Sequence, residues 1–387
     1  MERFLHNYNI KPFAPAIQKT STLLILSAIS IICLIVSINT TKTFVSGSYE
    51  QKVIAAQLMR DGMKKLKSIR MESGVFIDVE NDPNETGLVG SPFSLITTDE
   101  GDLDSKLTTL DPNFAAGIVD MMVQLEIKRE DTVALLMTGS MPGANIAVLT
   151  ACKAMGVYPV SISSVGASQW GANQIDFTWL DMESILFENN FIPSKSIAAS
   201  IGGRNDMGRL LSPAGRKIIT DNIYNHGIPI IRKGRLVDNI ENRMDLYRNF
   251  IKINKYKAII NVGGGVASLG TSFNLKLLPP GKVFRADILD IGRPGGVEGV
   301  FSKFVSSNVP GLHILNIRSL TEQLRMPYAP IPIPNIGFGP LYSDERYNLK
   351  VAFVCLAIVA GSVFYVGFQS RKKIKEYLID HEPDSLL

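Results

Sequence analysis

Two apolar runs, one near each end of the chain, are the strongest feature of its hydropathy pattern. Residues 22–38 read TLLILSAISIICLIVSI and residues 351–368 read VAFVCLAIVAGSVFYVGF, with no charge in either. A helix of about 18 residues rises roughly 27 Å, close to the ~30 Å hydrocarbon core of a bilayer. We therefore predict transmembrane helices over 22–39 and 349–368 rather than buried core helices.

Positive charges flank each run on its terminal side. Three Lys or Arg residues precede the first run within 1–21, and four follow the second within 371–375. Because cytoplasmic flanks carry the excess of Lys and Arg, the tails 1–21 and 369–387 are predicted to be cytoplasmic. This orientation makes the chain a two-pass protein of the cell membrane with its main part outside the cytoplasm. The alternative, a signal peptide cleaved after Gly47, is less favoured because that position lies well beyond the apolar run.

The stretch 40–110 follows the first run. Apolar positions interleave with Lys, Arg and Gln through 41–70, which predicts an amphipathic helix. Two arrangements are open: a stalk that continues from the first span, or a helix packed on the main domain. An acidic loop rich in turn residues is predicted at 78–87. We therefore assign 40–110 to a stalk helix and a connecting loop.

From Asp111 onwards, strand and helix periodicities alternate. Strands are predicted at 132–137, 158–163, 196–200, 228–232, 258–262 and 312–317, and helices at 111–127, 144–155, 178–189, 213–225, 241–252 and 319–326. Strands separated by helices imply right-handed crossovers, so we predict an α/β fold with a mostly parallel sheet over 111–325. Five prolines lie within 327–340, and 326–348 is therefore predicted to be an extended Pro-rich connector into the second span.

Composition and charge exclude several function classes. The chain is 45% hydrophobic and 20% charged, and its net charge of +4 is too small for 387 residues to indicate a nucleic acid partner. Of the three cysteines, Cys33 and Cys355 lie in the apolar runs and only Cys152 lies between them. A disulfide within the outer domain and a paired-cysteine metal site are therefore excluded. We predict no metal and no cofactor.

Four of the predicted strands end in small residues, and their carboxyl ends form the candidate ligand site. The segments are MTGSMPGAN (137–145), SSVGASQWGAN (163–173), SIGGRNDMGR (200–209) and NVGGGVASLG (261–270). Ligands bind beyond the carboxyl ends of parallel strands, where glycines admit them to backbone N–H groups that favour anions. The candidate ligand-binding or anion-binding residues are Thr138, Gly139, Ser140, Gly143, Asn145, Ser164, Gly202, Gly203, Arg204, Asn205, Arg209, Gly263, Gly264 and Gly265. Ordinary turn chemistry, which uses the same residue types, is the alternative.

A nucleotide is not the expected ligand. The segment GGGVASLG lacks the final glycine of a G-x-G-x-x-G fingerprint, and the chain has no Walker lysine. Nucleotides are also scarce outside a cell.

Ser140 is a weak candidate nucleophile. It lies in Gly-Ser-x-x-Gly, which differs from the G-x-S-x-G elbow of hydrolases. His226 or His313 could serve it as a base, with Asp206 or Asp181 orienting the imidazole. Structural roles are favoured for both histidines, so the catalytic residues stay unassigned.

Basic residues gather between 202 and 243. They are Arg204, Arg209, Arg216, Lys217, Arg232, Lys233, Arg235 and Arg243. Asp206 and Asp221 are the only acids from 202 to 237. Two interpretations are open: an ordinary solvated face, or a basic surface that meets a polyanion.

The quoted strand ends, taken in order and framed by the two apolar runs, resemble one family. The residues TGSMPGAN, SSVGASQWGAN, SIGGRNDMG, INVGGGVASLG and HILNIRSLTEQLRMPYAPIPIP are similar to those of the poly-γ-glutamate system proteins. These are bacterial membrane proteins encoded with poly-γ-glutamate synthase components. The resemblance covers roughly 110–340 and the flanking spans, and it brings no active-site residues with it.

The resemblance implies a role in making, exporting or anchoring poly-γ-glutamate, a capsule or released polymer with one free α-carboxylate per residue. The implied partners are the polymer, the membrane components of its synthase and the lipid bilayer. The synthase ligase uses ATP at the cytoplasmic face, and this chain has no ATP loop. Two function classes are open: a non-catalytic accessory subunit, which we favour, and an extracytoplasmic hydrolase or transferase with Ser140 as nucleophile.

Overall fold

The structure, a computed structural model, describes residues 13–270, 278–283 and 296–380. These residues divide into two compact units. The α/β unit is Ser46–Ser343, and the terminal unit contains the described parts of Met1–Val45 and Asp344–Leu387. The predicted tails lie partly outside the described residues, at 1–12 and 381–387.

Helices and strands are numbered in chain order within the described residues. The helices are α1 (Thr20–Asn39), α2 (Tyr49–Glu72), α3 (Leu103–Thr109), α4 (Asn113–Gln124), α5 (Pro142–Met155), α6 (Trp179–Glu188), α7 (Pro213–Asn225), α8 (Leu236–Phe250), α9 (Val266–Leu269), α10 (Val300–Ser306), α11 (Ile317–Leu324) and α12 (Leu349–Asp380). The strands are β1 (Thr41–Val45), β2 (Thr132–Thr138), β3 (Tyr158–Ser164), β4 (Asn173–Gln174), β5 (Phe177–Thr178), β6 (Ala198–Ser200), β7 (Ile230–Ile231), β8 (Ala258–Val262), β9 (Gly281–Val283), β10 (Gly311–Ile314) and β11 (Ser343–Tyr347).

The terminal unit is built around α1 and α12, which contact each other. Ile17 N donates a hydrogen bond to Ser370 Oγ at 2.8 Å, and the rings of Phe13 and Tyr377 stack. Both helices are long and apolar enough to cross a membrane, and their most apolar windows are not buried in the protein. Two such helices near the two ends of the chain fit a two-pass membrane protein.

Seven described strands form the central sheet of the α/β unit, in the order β7-β6-β3-β2-β8-β10-β9. Neighbouring strands from β7 to β10 pair in parallel, and β9 pairs antiparallel with β10. The predicted α/β fold with a mostly parallel sheet is thus confirmed.

The order of the strands creates a switch point at the middle of the sheet. From β2 the chain proceeds outward through β3, β6 and β7, and it then returns to β8 on the other side of β2. Connections therefore leave β2 and β8 in opposite directions. In such sheets a crevice opens beyond the carboxyl ends of the two strands.

Strand β2 shows why its sequence is an uninterrupted apolar run. Val133, Leu135 and Met137 pack into one core, and Ala134 and Leu136 pack into the other. Successive side chains of a strand point to opposite faces, and helices cover both faces of this sheet. Helices α2, α4 and α5 contribute to the first core, and α8 and α10 contribute to the second.

The helix predicted over 41–70 is α2, and it packs on the α/β unit. Ala55, Met59 and Leu66 are fully buried in the same core as alternate residues of β2. The alternative of a stalk that continues from the first span is not formed, because β1 and a turn separate α1 from α2. An amphipathic helix buries its apolar stripe wherever a complementary face is available.

Most of the predicted Pro-rich connector, 326–348, belongs to the α/β unit. Residues 327–340 form no helix or strand, but they include turns and have positive φ at Ala329, Gly337 and Gly339, so the tract is not extended throughout. Tyr342 is buried, however, and its Oη donates to Asn113 Oδ1 at 2.7 Å. Asn113 Nδ2 in turn donates to Pro334 O at 3.0 Å. Through these two bonds of Asn113, the segment packs against α4 instead of standing apart.

Element boundaries differ from prediction mainly at the edges of the sheet. Strand β7, at one edge, comprises only two of the five residues predicted as a strand at 228–232. The strand predicted at 312–317 ends at Ile314, because Asn316 caps α11 by accepting the N–H of Ser319 at 3.3 Å. Helix α8 begins at Leu236, five residues before the predicted start.

Candidate functional site

A large cavity opens at the carboxyl ends of the parallel strands, around the switch point. We name it the sheet-edge cavity. Its volume is about 760 Å³, within the range of roughly 300–1,000 Å³ that is common for small-molecule sites. It is lined by Thr98, Asp99, Glu100, Gly101, Asp102, Ser105, Lys106, Thr138, Ser140, Met141, Ser164, Gly166, Ser168, Gly202, Gly203, Arg204, Asn205, Asp206, Leu210, Leu236, Gly263, Gly264, Gly265, Val266, Gly270, Leu315, Asn316 and Ile317.

The ends of β2 and β8 approach each other closely at the base of the cavity. Thr138 Oγ1 donates to Val262 O at 3.3 Å. A Cβ on Gly263 would lie 2.3 Å from Thr138 Oγ1, and Gly263 has φ of +88°. Both the contact and the backbone angle require glycine at this position. The loop after β8 can therefore turn directly into the cavity.

Two hydroxyl groups and one amine meet on the side of the cavity formed by the loops after β2 and β3. Ser140 Oγ accepts the N–H of Ser168 at 2.9 Å. Lys106 Nζ, from α3, donates to Ser168 Oγ at 3.1 Å and lies 3.2 Å from Met141 Sδ. Lys106 is 5% exposed and Ser168 is 7% exposed, yet both line the cavity.

The environment of Lys106 disfavours its charged form. Burial lowers the pKa of its amine from 10.5 to about 8, and the nearby charge of Asp102 opposes part of that change. An amine with a pKa near 8 is neutral in a substantial fraction of molecules at neutral to mildly alkaline pH. It can therefore accept a proton as well as donate hydrogen bonds.

A buried ion pair supports the loop after β6. Arg243 Nη1, from α8, lies 2.5 Å from Asp206 Oδ2, and Arg243 Nη2 donates to Ser200 Oγ at 2.7 Å. Ser164 Oγ lies 3.1 Å from Ser200 Oγ. Asn205 and Asp206 both have positive φ, at 60° and 62°. The ion pair therefore holds a strained backbone in place and neutralises Asp206, which lines the cavity.

Charged residues of both signs line the cavity. Gln169 N donates to Asp99 O at 3.0 Å, so the acidic loop with Asp99 and Glu100 lies beside Ser168. Asp102 accepts Tyr328 Oη at 2.6 Å. Exposed basic residues follow the neighbouring parallel strands β6 and β7: Arg204, Arg209, Arg232 and Lys233. Arg204 reaches the cavity lining.

Ten of the fourteen predicted ligand-binding residues line the cavity. They are Thr138, Ser140, Ser164, Gly202, Gly203, Arg204, Asn205, Gly263, Gly264 and Gly265. Gly139 and Gly143 instead pack against backbone, where an added Cβ would lie 2.3 Å from Val165 O and 2.5 Å from Thr109 O.

The other two predicted residues have different surroundings. Asn145 is buried and donates Nδ2 to Thr138 O at 2.9 Å, which ties the start of α5 to the end of β2. Arg209 is exposed and lies outside the cavity lining.

The structure does not bring a histidine to Ser140 within the described residues. His226 Nε2 lies 2.8 Å from Asp181 Oδ1, and His313 Nδ1 lies 2.9 Å from Asn261 Nδ2. Burial also lowers the pKa of His313 to about 3. Neither histidine lines the cavity, and Asp206 pairs with Arg243 instead of an imidazole. The weighed Ser-His-Asp arrangement is therefore not formed.

The basic segment 202–243 is not one uniform surface. Arg243 is buried, which no local pattern indicated. Lys217 pairs with Asp221 at 2.5 Å, and Arg235 pairs with Asp238 at 2.7 Å. What remains of the predicted surface is the exposed set Arg204, Arg209, Arg232 and Lys233, which follows β6 and β7.

Sequence reasoning missed Lys106, Ser168 and the acidic pair Asp99 and Glu100 in the cavity lining. A signal for Lys106 was present, since Leu103, Lys106, Leu107 and Leu110 occupy one helical stripe, and a lysine within an apolar stripe indicates a buried amine. Ser168 lies within the strand-end segment 163–173. Its importance depends on Lys106, however, which lies 62 positions away in sequence.

Metal ligation is not indicated in the described part of the chain. Within residues 13–270, 278–283 and 296–380, no group of three or more His, Cys, Asp or Glu side chains is placed to hold a metal ion.

Comparisons with known proteins add no relative. No protein-family model matches the chain, and no curated protein and no solved structure matches it.

Proposed function

We propose that the protein is a two-pass membrane protein of poly-γ-glutamate production, for a capsule or a released polymer, and that its α/β unit binds the polymer outside the cytoplasm. In this proposal it acts as an accessory subunit beside the synthase. The observation that carries the binding role is the sheet-edge cavity, whose lining includes both basic residues and carboxylates. The resemblance of the strand-end segments to poly-γ-glutamate system proteins supports the choice of polymer.

The charges of the cavity favour one part of the polymer. The middle of a poly-γ-glutamate chain carries only carboxylates, whereas its amino end carries an ammonium group as well. Arg204 can pair with a carboxylate. Asp99 and Glu100 would repel a carboxylate but attract an ammonium. The cavity therefore fits the amino end of a chain, with Arg204 available to the carboxylates that follow.

The lining is suited to an amide chain. The glycines after β6 and β8 let a ligand approach the backbone, and the hydroxyls of Thr138 and Ser164 offer further hydrogen bonds. The volume of about 760 Å³ accommodates a few glutamyl residues. We therefore expect recognition of a short terminal segment rather than of the whole polymer.

The two apolar helices provide the attachment in this proposal. Their apolar faces are uncovered within the protein, so they are available to the bilayer and to membrane components of the synthase. The Lys and Arg residues that flank the runs favour cytoplasmic tails and an external α/β unit.

Calorimetric titration of the full chain in detergent tests the binding role. The probes are a γ-linked glutamate tetramer and the same tetramer acetylated on its amino end. We expect the free tetramer to bind, and acetylation to weaken binding by about tenfold or more because it removes the ammonium group. Equal binding of the two probes would refute recognition of the amino end, and no binding of either would refute the proposed function.

Variants locate the site in the same experiment. Arg204→Gln and the pair Asp99→Asn with Glu100→Gln are expected to weaken binding of the tetramer, and added salt is expected to weaken it further. Lys217→Gln is the matched control, since Lys217 is an exposed cation outside the cavity lining. An effect of Lys217→Gln as large as that of Arg204→Gln would indicate nonspecific attraction.

Cysteine labelling on intact cells tests the orientation. Ser73→Cys, at the exposed end of α2, is expected to react with a membrane-impermeant maleimide. Lys372→Cys, beyond the apolar run of α12, is expected to react only after lysis. The opposite result would place the α/β unit in the cytoplasm and overturn the external binding role.

A further inference from the structure

We propose that the sheet-edge cavity cleaves the γ-amide next to the bound amino end, with Ser168 as the nucleophile, Lys106 as the general base and the Ser140 hydroxyl as a donor to the oxyanion. The proposal rests on the proposed function, because it takes the same polymer end as its substrate. It adds an activity to a binding role, and it replaces Ser140 with Ser168 as the reacting serine.

The geometry of the three side chains carries the assignment. Lys106 Nζ lies 3.1 Å from Ser168 Oγ, within the reach that a general base needs to take a hydroxyl proton. Both groups are nine-tenths or more buried and still line the cavity. A buried lysine beside a serine is a known substitute for the histidine of a Ser-His-Asp triad.

The protonation state of Lys106 is compatible with this role. Burial, partly opposed by the charge of Asp102, lowers the pKa of the amine to about 8. Without that change the amine would be almost fully protonated at neutral pH and unable to accept a proton. Met141 Sδ, at 3.2 Å from Nζ, adds a neighbour without a charge.

Ser140 is better placed to stabilise charge than to attack. Within the described residues, the hydrogen bond that Ser140 Oγ makes is with the Ser168 N–H, at 2.9 Å. The hydroxyl oxygen accepts there, so its proton remains free to donate into the cavity that Ser140 lines. No described base contacts Ser140 Oγ. A hydroxyl donor beside the nucleophile is the arrangement that stabilises a tetrahedral oxyanion.

The acidic loop determines which amide would react. The backbone of Asp99 is hydrogen bonded to that of Gln169, the residue after Ser168. An ammonium group held by Asp99 and Glu100 would therefore lie close to Ser168. The amide nearest to that ammonium is the first γ-amide of the chain, so the expected product is a free glutamate released from the amino end.

The chemical step balances without a metal or a co-reactant other than water. Ser168 Oγ bonds to the γ-carbonyl carbon as its proton passes to neutral Lys106. The C–N bond then breaks, and Lys106 returns the proton to the leaving nitrogen of the next residue. Water attacks the resulting ester, giving a proton to Lys106. That proton returns to Ser168 Oγ as the glutamate leaves as a free acid.

The experiment uses the full chain in detergent with the γ-linked glutamate tetramer, and it follows free glutamate and trimer by mass spectrometry. We expect release of glutamate at a rate that rises with pH and is half-maximal near pH 8, as the base loses its proton. Ser168→Ala and Lys106→Met are each expected to slow release by about 10³-fold or more, and Ser140→Ala by about 10²-fold. Lys217→Gln, which changes an exposed residue outside the cavity lining, is expected to leave the rate unchanged.

A second measurement identifies the reacting serine independently of the substrate. A fluorophosphonate probe is expected to label Ser168 in the unchanged chain and to label nothing in Ser168→Ala. Labelling of Ser140 in its place would overturn the assignment. The fluorescence of the buried Trp179 shows whether each variant is folded.

The calorimetric titration separates this inference from the function on which it rests. Binding of the tetramer without release of glutamate would overturn the inference and leave the proposed binding role intact. Release of glutamate that persists in Ser168→Ala would also overturn it. Absence of both binding and release would overturn the two proposals together.

Discussion

Arg243 on α8 and Asp206 in the loop after β6 form a buried ion pair, with 2.5 Å between Nη1 and Oδ2 and with side chains only 2% and 1% exposed. The pair fastens a loop with positive φ angles to a helix on one face of the sheet. Ser200 and Ser164 complete the network through Arg243 Nη2. One wall of the sheet-edge cavity therefore depends on a contact between residues 37 positions apart.

Breaking this pair on one side is expected to destabilise the α/β unit strongly. Arg243→Leu leaves Asp206 buried without its cation, which is expected to lower the free energy of unfolding by about 3–5 kcal/mol. The double change Arg243→Leu with Asp206→Leu is expected to recover part of that loss, because neither charge is then left unpaired. Urea unfolding followed by tryptophan fluorescence measures both, since Trp170 and Trp179, the two tryptophans of the chain, lie in the α/β unit. A double variant that is no more stable than Arg243→Leu alone would show that the pair does not act as a unit.

Lys106→Met is expected to stabilise the protein near neutral pH. The pKa of this amine falls from 10.5 to about 8 on burial, and the gap corresponds to about 3 kcal/mol at 1.36 kcal/mol per pH unit. The folded chain binds this proton less tightly than the unfolded chain, so stability rises from about pH 8 to about pH 10.5. The variant should lack this rise and should be more stable by about 1–3 kcal/mol at pH 7.

The measurement for Lys106 is urea unfolding at several pH values between 6 and 10, with Lys106→Arg as the comparison that retains a charge. A rise in stability above pH 8 that persists in Lys106→Met would contradict the prediction. A variant less stable than the unchanged chain at pH 7 would also contradict it, by showing that the amine contributes more through its hydrogen bonds than burial takes away.

Glu183→Gln is expected to remove a pH dependence of the opposite sign. Burial raises the pKa of Glu183 from 4.5 to about 7, opposed by hydrogen bonds from Ser196 N and Oγ, each 2.9 Å long. The folded chain then holds this proton more tightly than the unfolded chain, so stability falls as the pH rises from about 4.5 to about 7. At pH 8 the neutral amide should be more stable than the carboxylate by about 1–3 kcal/mol.

Thermal unfolding at pH 5 and pH 8 checks this prediction. Glu188→Gln, an exposed change at the end of the same helix α6, is the control and should leave the pH dependence unaltered. Equal pH dependence in the Glu183→Gln chain and the unchanged chain would assign the effect to another group.

Gly139→Ala is expected to disturb the turn that carries Ser140 into the cavity. An added Cβ would lie 2.3 Å from Val165 O, and relief of that overlap requires the loops after β2 and β3 to separate. The expected loss of stability is about 1–3 kcal/mol. Gly47→Ala is the matched control, because no atom lies within 4 Å of its added Cβ. Urea unfolding of the two variants tests the comparison, and equal stabilities would contradict the close packing of the two loops.

Local patterns were sufficient for the layout of the fold. The apolar run at 132–137 predicted the strand β2, and α7 begins at Pro213 and ends at Asn225 as its pattern indicated. These features depend on side-chain period and turn chemistry, which neighbouring residues determine. Hence the carboxyl edge of the sheet could be selected as the candidate site from the strand ends alone, and most of the selected residues do line one cavity.

The chemistry of the cavity could not be predicted in the same way. Lys106 meets Ser168 across 62 positions, and Arg243 meets Asp206 across 37. Each pair joins elements that become neighbours only after the sheet has assembled, and no local period specifies such a contact.

The sequence by itself determined that the chain has two apolar helices, an α/β sheet and strand ends rich in glycine and serine. The tertiary structure decided that α2 packs on the domain, that Arg243 is buried rather than part of a basic face, and that a lysine reaches the serines of the cavity. The physical reason is that the period of apolar side chains and the turn propensity act over a few residues. Burial, ion pairing and the protonation of Lys106 depend instead on which distant segments exclude water together.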